Sequence, residues 1–136
     1  MSVPESSPVK DRAAMIAGMA PELCETVFHF CTGVEADATG ALAVFEEVEG
    51  RSLILTDDLA AARGFERDQP MAQITLTVHS ALDGVGLTAA VATALADAGI
   101  PCNMVAAFHH DHAFVPWDMR ERALDVLQAL AREGAA

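Results

Sequence analysis

Residues 72–117 read AQITLTVHSALDGVGLTAAVATALADAGIPCNMVAAFHHDHAFVPW, and two periods meet inside this stretch. From Ala72 to His79 apolar and polar residues alternate, with Ile74, Leu76 and Val78 on one side and Gln73, Thr75, Thr77 and His79 on the other. A period of two belongs to a strand with one face on a core. Past a loop at Ser80–Val85 the period lengthens. Leu87, Val91, Ala94, Leu95 and Ala98 then share one face of a helix that Gly99 and Pro101 end. Strands are expected at 102–109 and 113–115, on either side of His110, Asp111 and His112. A last helix is expected to open on the capping pair Asp118 and Glu121 and to bury Ala123, Val126, Leu127, Leu130 and Ala131.

Strand, helix, strand, strand, helix makes five of the six elements of a ferredoxin-like α+β unit. The sixth is expected from the first half of the chain, within one molecule or across a dimer. That half predicts a helix from Ser7 and Pro8 to about Met19, with Val9, Ala13, Ile16, Ala17 and Ala20 as its buried stripe and Pro21 as its stop. Strands follow at 26–32, 41–48 and 52–55, the last two joined by a turn at Glu49 and Gly50. A short helix capped by Asp57 or Asp58 ends at Gly64. The halves, residues 1–68 and 69–136, are each small, and a core of that size supplies only about 3–5 kcal/mol. They are therefore expected to share a sheet or an interface.

The 136 residues carry 8 Lys and Arg against 20 Asp and Glu, a formal net charge of −12. A polyanion is repelled by such a surface, so neither nucleic acid nor an anionic membrane is an expected partner. The most apolar run, Val85–Ala96, is too short and too rich in Ala and Thr to span a bilayer. The start, MSVPESSPVKD, has no apolar stretch for export, and Cys24, Cys31 and Cys102 form no CxxC pair. A cytoplasmic setting and no cofactor are the expectations.

Several side chains invite chemistry, and each has a plainer role beside it. In SALDGVGLT, residues 80–88, two glycines sit where a strand turns into a helix. Free N–H groups and the positive end of a helix dipole there would hold a carboxylate or phosphate; a tight turn needs the same glycines. No GKS or GKT follows, so this is not a nucleotide P-loop. Asp83 could receive an ammonium and Ser80 or Thr88 a carboxylate, as an α-amino acid would require, or these residues could simply cap the helix. The run His109, His110, Asp111, His112 could place two imidazoles and a carboxylate on a metal, the basis of a rival reading as a metal-dependent enzyme; a polar hairpin turn is the alternative. Cys102 has no basic neighbour to activate its thiol, and Asn103 must find partners on backbone or ligand. Glu46, Glu47 and Glu49 suit a solvated strand edge, and Trp117 a packing anchor.

Together these words resemble the ACT domain family, and in particular small bacterial proteins made of two ACT units. The resemblance rests on residues 74–117, above all VGLTAA and HDHAFVPW, supported by FHFCT at 28–32 and FEEVEGRSLIL at 45–55. It implies an N-terminal ACT-like half over 1–68 and a C-terminal ACT domain over 69–136, with antiparallel sheets and helices on one face. It further implies units paired side by side, as in a homodimer, with a small-molecule ligand, usually an amino acid, at the interface. Carried onto this chain, the ligand contacts are Ser80, Leu82, Asp83, Gly84, Val85, Gly86, Leu87 and Thr88 with Cys102, Asn103, Met104 and Val105. Two positions depart from the family pattern: Asp83-Gly84 replaces Glu-Ala, and His109 replaces an aromatic. Related units sense arginine in eukaryotes, so the resemblance implies a sensor that regulates by binding, without catalysis and without metal. A structural interaction module that binds no ligand is the third reading.

Overall fold

The computed structural model describes residues 12–77 and 86–135. In chain order the elements are α1 (Arg12–Gly18), β1 (Pro21–Leu23), β2 (Phe28–Gly33), β3 (Ala43–Glu47), β4 (Gly50–Thr56), α2 (Asp57–Ala62), β5 (Met71–Leu76), α3 (Leu87–Asp97), β6 (Asn103–Ala106), β7 (Asp111–Pro116), a 3₁₀ turn at Trp117–Met119, and α4 (Arg120–Ala135). Chain contacts divide these into two compact units, one of residues 12–24 with 73–135 and the other Glu25–Ala72. Among the described residues no helix is long and apolar enough to cross a membrane.

The first unit is a ferredoxin-like frame with strand order β1-β5-β7-β6. The place of the sixth element is taken by β1, whose Pro21, Glu22 and Leu23 pair antiparallel with Leu76, Thr75 and Ile74 of β5. A first-half strand therefore completes the second-half sheet, as the element count requires. Ile74, Leu76, Ala113 and Val115 are fully buried, and so are Val91 and Leu95 of α3 and Ala123 and Leu127 of α4. The start expected for α1 at Ser7 and Pro8 falls outside the described residues. Its buried stripe is Met15, Ile16 and Met19; Ala13, Ala17 and Ala20, expected inward, are exposed. The capping pair expected for α4 is also corrected. Asp118 lies inside the 3₁₀ turn, which brings the Arg120 guanidinium 4.0 Å over the Trp117 ring while Arg120 Nη1 donates to the Trp117 carbonyl at 2.7 Å.

The second unit is an antiparallel sheet in the order β3-β4-β2, with Phe28 of β2 also paired to Met71. Cys31, Leu53, Leu55 and Ala60 form its buried cluster, under Leu59 and Phe65. The N-cap of α2 is Thr56 rather than Asp57 or Asp58: its hydroxyl accepts from Leu59 N at 3.3 Å. Glu46 and Glu47 stand exposed on β3, at the end of the strand order, and reach Arg51 and Ser52.

Candidate functional site

Helix α3 begins in an unusual way. Gly86 stands at its N-cap with φ +102°, a left-handed conformation that costs glycine little and any L side chain a good deal. Glycine brings no side chain of its own to this N-cap, where the first-turn amides and the positive end of the helix dipole lie. Leu87 is buried and anchors the turn, whereas Thr88 is exposed. Ser80, Leu82, Asp83, Gly84 and Val85 lie outside the described residues.

The other expected contacts sit on and just before β6, the end strand of its unit. Asn103 is exposed, while Cys102, Met104 and Val105 are half-buried. Burial pushes the Cys102 thiol up, away from the thiolate a nucleophile needs. The antiparallel register pairs Asn103 with Phe114, Met104 with Ala113, Val105 with His112 and Ala106 with Asp111. Opposed residues share a face, so Asn103, Val105, His112 and Phe114 lie on one side of the sheet and Met104, Ala106, Asp111 and Ala113 on the other.

This register bears on the histidine run. The hairpin turn is 107–110, closed by Ala107 N donating to the His110 carbonyl at 3.0 Å, and β7 starts at Asp111. Asp111 and His112 are consecutive strand residues and face opposite ways, so they do not converge on one ion. Among the described residues no group of three His, Cys, Asp or Glu could hold a metal. Instead, His112 Nδ1 lies 3.1 Å from Gln73 Nε2 and 3.0 Å from Thr75 Oγ1, both on β5. Burial, and then the neighbouring His110, hold the His112 imidazole below its ordinary value, which favours its neutral form. Burial raises the Asp111 carboxyl, against the pull of His112 and His110.

Sequence reading missed this cluster because alternation places Gln73 and Thr75 on the polar side of a strand without saying what faces them. The usable signal is that a polar side carrying two hydrogen-bonding residues needs partners wherever it is covered, and Gln73 is buried. A second missed group lies in the Glu25–Ala72 unit. His29, on β2 and only 2% exposed, meets Asp57 Oδ1 through Nε2 at 2.7 Å, and Arg67 Nη1 reaches both Asp57 oxygens at 3.3 Å. The His29 contact first, and Arg67 after it, hold the Asp57 carboxyl below its ordinary value. This group ties β2 to the start of α2 and has no nucleophile in it. Cys31, two residues along β2, is buried with its thiol pushed up by desolvation.

Comparison with known proteins gives a consistent result. ACT domain family models match residues 7–72 and 70–129. A Vibrio cholerae protein of unknown function, described as a possible transport protein, is 39% identical over 88% of this chain and 94% of its own, with a TM-score of 0.78. An Agobacterium tumefaciens protein is 19% identical over 82% and 87%, at 0.65. The ligand-free regulatory subunit of aspartate kinase from Thermus thermophilus is 11% identical over 83% and 97%, at 0.61. The last two likenesses are of fold alone. No curated protein matches.

Proposed function

Because the chain belongs to the ACT domain family, we propose that it is a cytoplasmic, non-catalytic sensor that binds an amino acid and regulates through that binding. The observation that carries this reading is the start of α3, where the N-cap is a left-handed Gly86 with no side chain of its own to cap the helix. Loop residues 80–88 are proposed to hold the ligand's carboxylate on first-turn amides, with Asp83 receiving its ammonium. Strand residues 102–105 supply the facing wall. Since β6 ends its strand order, a second copy can approach along it, and a homodimer with ligand between copies is part of the proposal. Charge supports a zwitterion: at net −12 a ligand without net charge escapes the repulsion an anion would meet. The metal-dependent reading has no comparable support, since Asp111 and His112 diverge.

Regulation of this kind works by population shift, and the ligand moves the equilibrium only as far as it binds one state better than the other. Thermal melts against the twenty amino acids and a series of divalent metals test the proposal. One amino acid, or a small related group, is expected to raise Tm by on the order of 10 °C at a hundredfold excess over Kd. Gly86→Val or Asp83→Lys is expected to abolish the shift. Silence across the whole panel would favour a structural module, and a stoichiometric metal response lost in His112→Ala would favour the enzyme.

A further inference from the structure

Between Arg67 and Arg120 the sequence has no Lys or Arg, and β1 has none either, so the strands β1, β5, β7 and β6 carry no permanent cation. Asp111 opens β7 in the middle of this stretch and is only 8% exposed. A carboxylate taken that far out of water ordinarily has a cation or several N–H donors on it. Among the described residues nothing donates a hydrogen bond to Asp111 or forms an ion pair with it; only His110 and His112 attract it, at longer range. We propose that Asp111 anchors a binding site for a primary ammonium on a short carbon stem, either a small amine or the side chain of a lysine on another protein.

The carboxylate is recessed, yet it can be reached. Every sealed side-chain nitrogen or oxygen among the described residues has a hydrogen-bond partner. The Asp111 oxygens have none, so they are not sealed. Directly across from Asp111 on β6 stands Ala106, which is exposed and ends at its Cβ. Opposed residues share a face, so Ala106, and the pair Met104 and Ala113 further along, lie on the same side of the sheet as the carboxylate. Since β6 ends the strand order, a stem laid over Ala106 reaches Asp111 from the sheet edge.

The chemistry of this recess selects its guest. An ionised carboxylate only accepts hydrogen bonds, so the guest must bring the donors. A metal ion needs several ligands, and among the described residues no group of three His, Cys, Asp or Glu could supply them. An ammonium brings its charge and its own N–H donors, and its carbon stem suits the small apolar wall at Ala106. So narrow an opening favours the compact ammonium over the wider fork of a guanidinium. The net charge of −12 draws such a cation in. Nothing in this inference draws on the amino-acid reading above.

NMR titration of the full chain with n-butylammonium tests this, read from the amide shifts of Ala106 and Asp111. Saturable shifts are expected in the wild type. Asp111→Asn is expected to weaken the probe roughly tenfold or more. Asp118→Asn, which removes the same charge from an exposed position, is expected to leave it within about twofold. Butyltrimethylammonium keeps the charge without any N–H and is expected to bind roughly tenfold more weakly than n-butylammonium. Melts of both variants establish that they fold. Nα-acetyl-lysine amide separates the two sources: binding tighter than n-butylammonium assigns the site to a lysine side chain, and weaker binding assigns it to a free amine. The proposal is overturned if n-butylammonium does not bind the wild type or binds Asp111→Asn unchanged. Equal losses in Asp111→Asn and Asp118→Asn also overturn it, since they mark attraction by net charge alone.

Discussion

The two compact units cover their sheets by different means. In the unit of residues 12–24 and 73–135, helices α1, α3 and α4 pack on one another, and α4 lies so close to α1 that a Cβ on Gly134 would sit 2.6 Å from Ile16 Cγ2. The Glu25–Ala72 unit has a single six-residue helix, and its residues 34–42 form no helix. That segment is tied down by arginines. Arg51 Nη1 donates to the Ala36 carbonyl at 2.8 Å, and Arg63 donates to the carbonyls of Asp37 and Thr39 at 2.8 and 2.5 Å. Helix-on-helix packing covers one unit, whereas in the other guanidinium–carbonyl ties, beside Ala36, Ala38 and Ala41 packed on the buried cluster, hold a helix-free segment. The second device leaves more apolar surface in water, with Phe30, Phe45, Val34, Leu42 and Val44 all exposed.

Large-to-small substitution tests this contrast most strongly. Leu127→Ala removes a fully buried side chain from the helical unit and is expected to cost about 3 kcal/mol in denaturant unfolding. Arg63→Ala removes two ties to carbonyls and is expected to cost about 1 kcal/mol, because water replaces part of what is lost. The contrast breaks if Arg63→Ala costs as much as Leu127→Ala.

A finer test uses acid, because the two units carry carboxylates shifted in opposite directions. Asp57 is held below its ordinary 3.8, so its contribution is complete above that value and is lost as pH falls through the folded pKa beneath it. Asp111 is raised above 3.8 by burial. Its ionisation opposes folding above the folded pKa, and that penalty fades as pH falls toward 3.8. Asp111→Asn is therefore expected to raise Tm at neutral pH and to change little at about pH 3.5. Asp57→Asn is expected to lower Tm at neutral pH and to flatten the acid limb. Melting curves across pH for both variants check the pair, and the same sign of change in both would contradict the opposed burial and pairing.

How far the sequence carried depended on whether the deciding contacts were local. The 3.6-residue spacing of Leu87, Val91 and Leu95 marked the buried face of α3, and all three are buried. Strand β1 went unread because three residues starting with Pro21 look like a helix stop; their pairing with residues 74–76, some fifty positions away, makes them a strand. The caps of α2 and α4 were each misplaced within a few residues, since several neighbouring polar side chains could serve and tertiary packing chooses. At the candidate site, Gly86 was legible because a glycine between strand and helix has a backbone meaning. The His112 cluster was not, because Gln73 and Thr75 meet His112 only once β5 and β7 become neighbours. The histidine run suggested convergence, and the observed start of β7 at Asp111 splits it.

The proposed sensor holds a small zwitterion between the start of α3 and strand β6. Hydrogen–deuterium exchange of the full chain, with and without the amino acid that raises Tm, reads both places at once. Slower exchange is expected at 86–88 and at 103–105 when that amino acid is present. Unchanged exchange at both segments, or slowing confined to Glu25–Ala72, would contradict it.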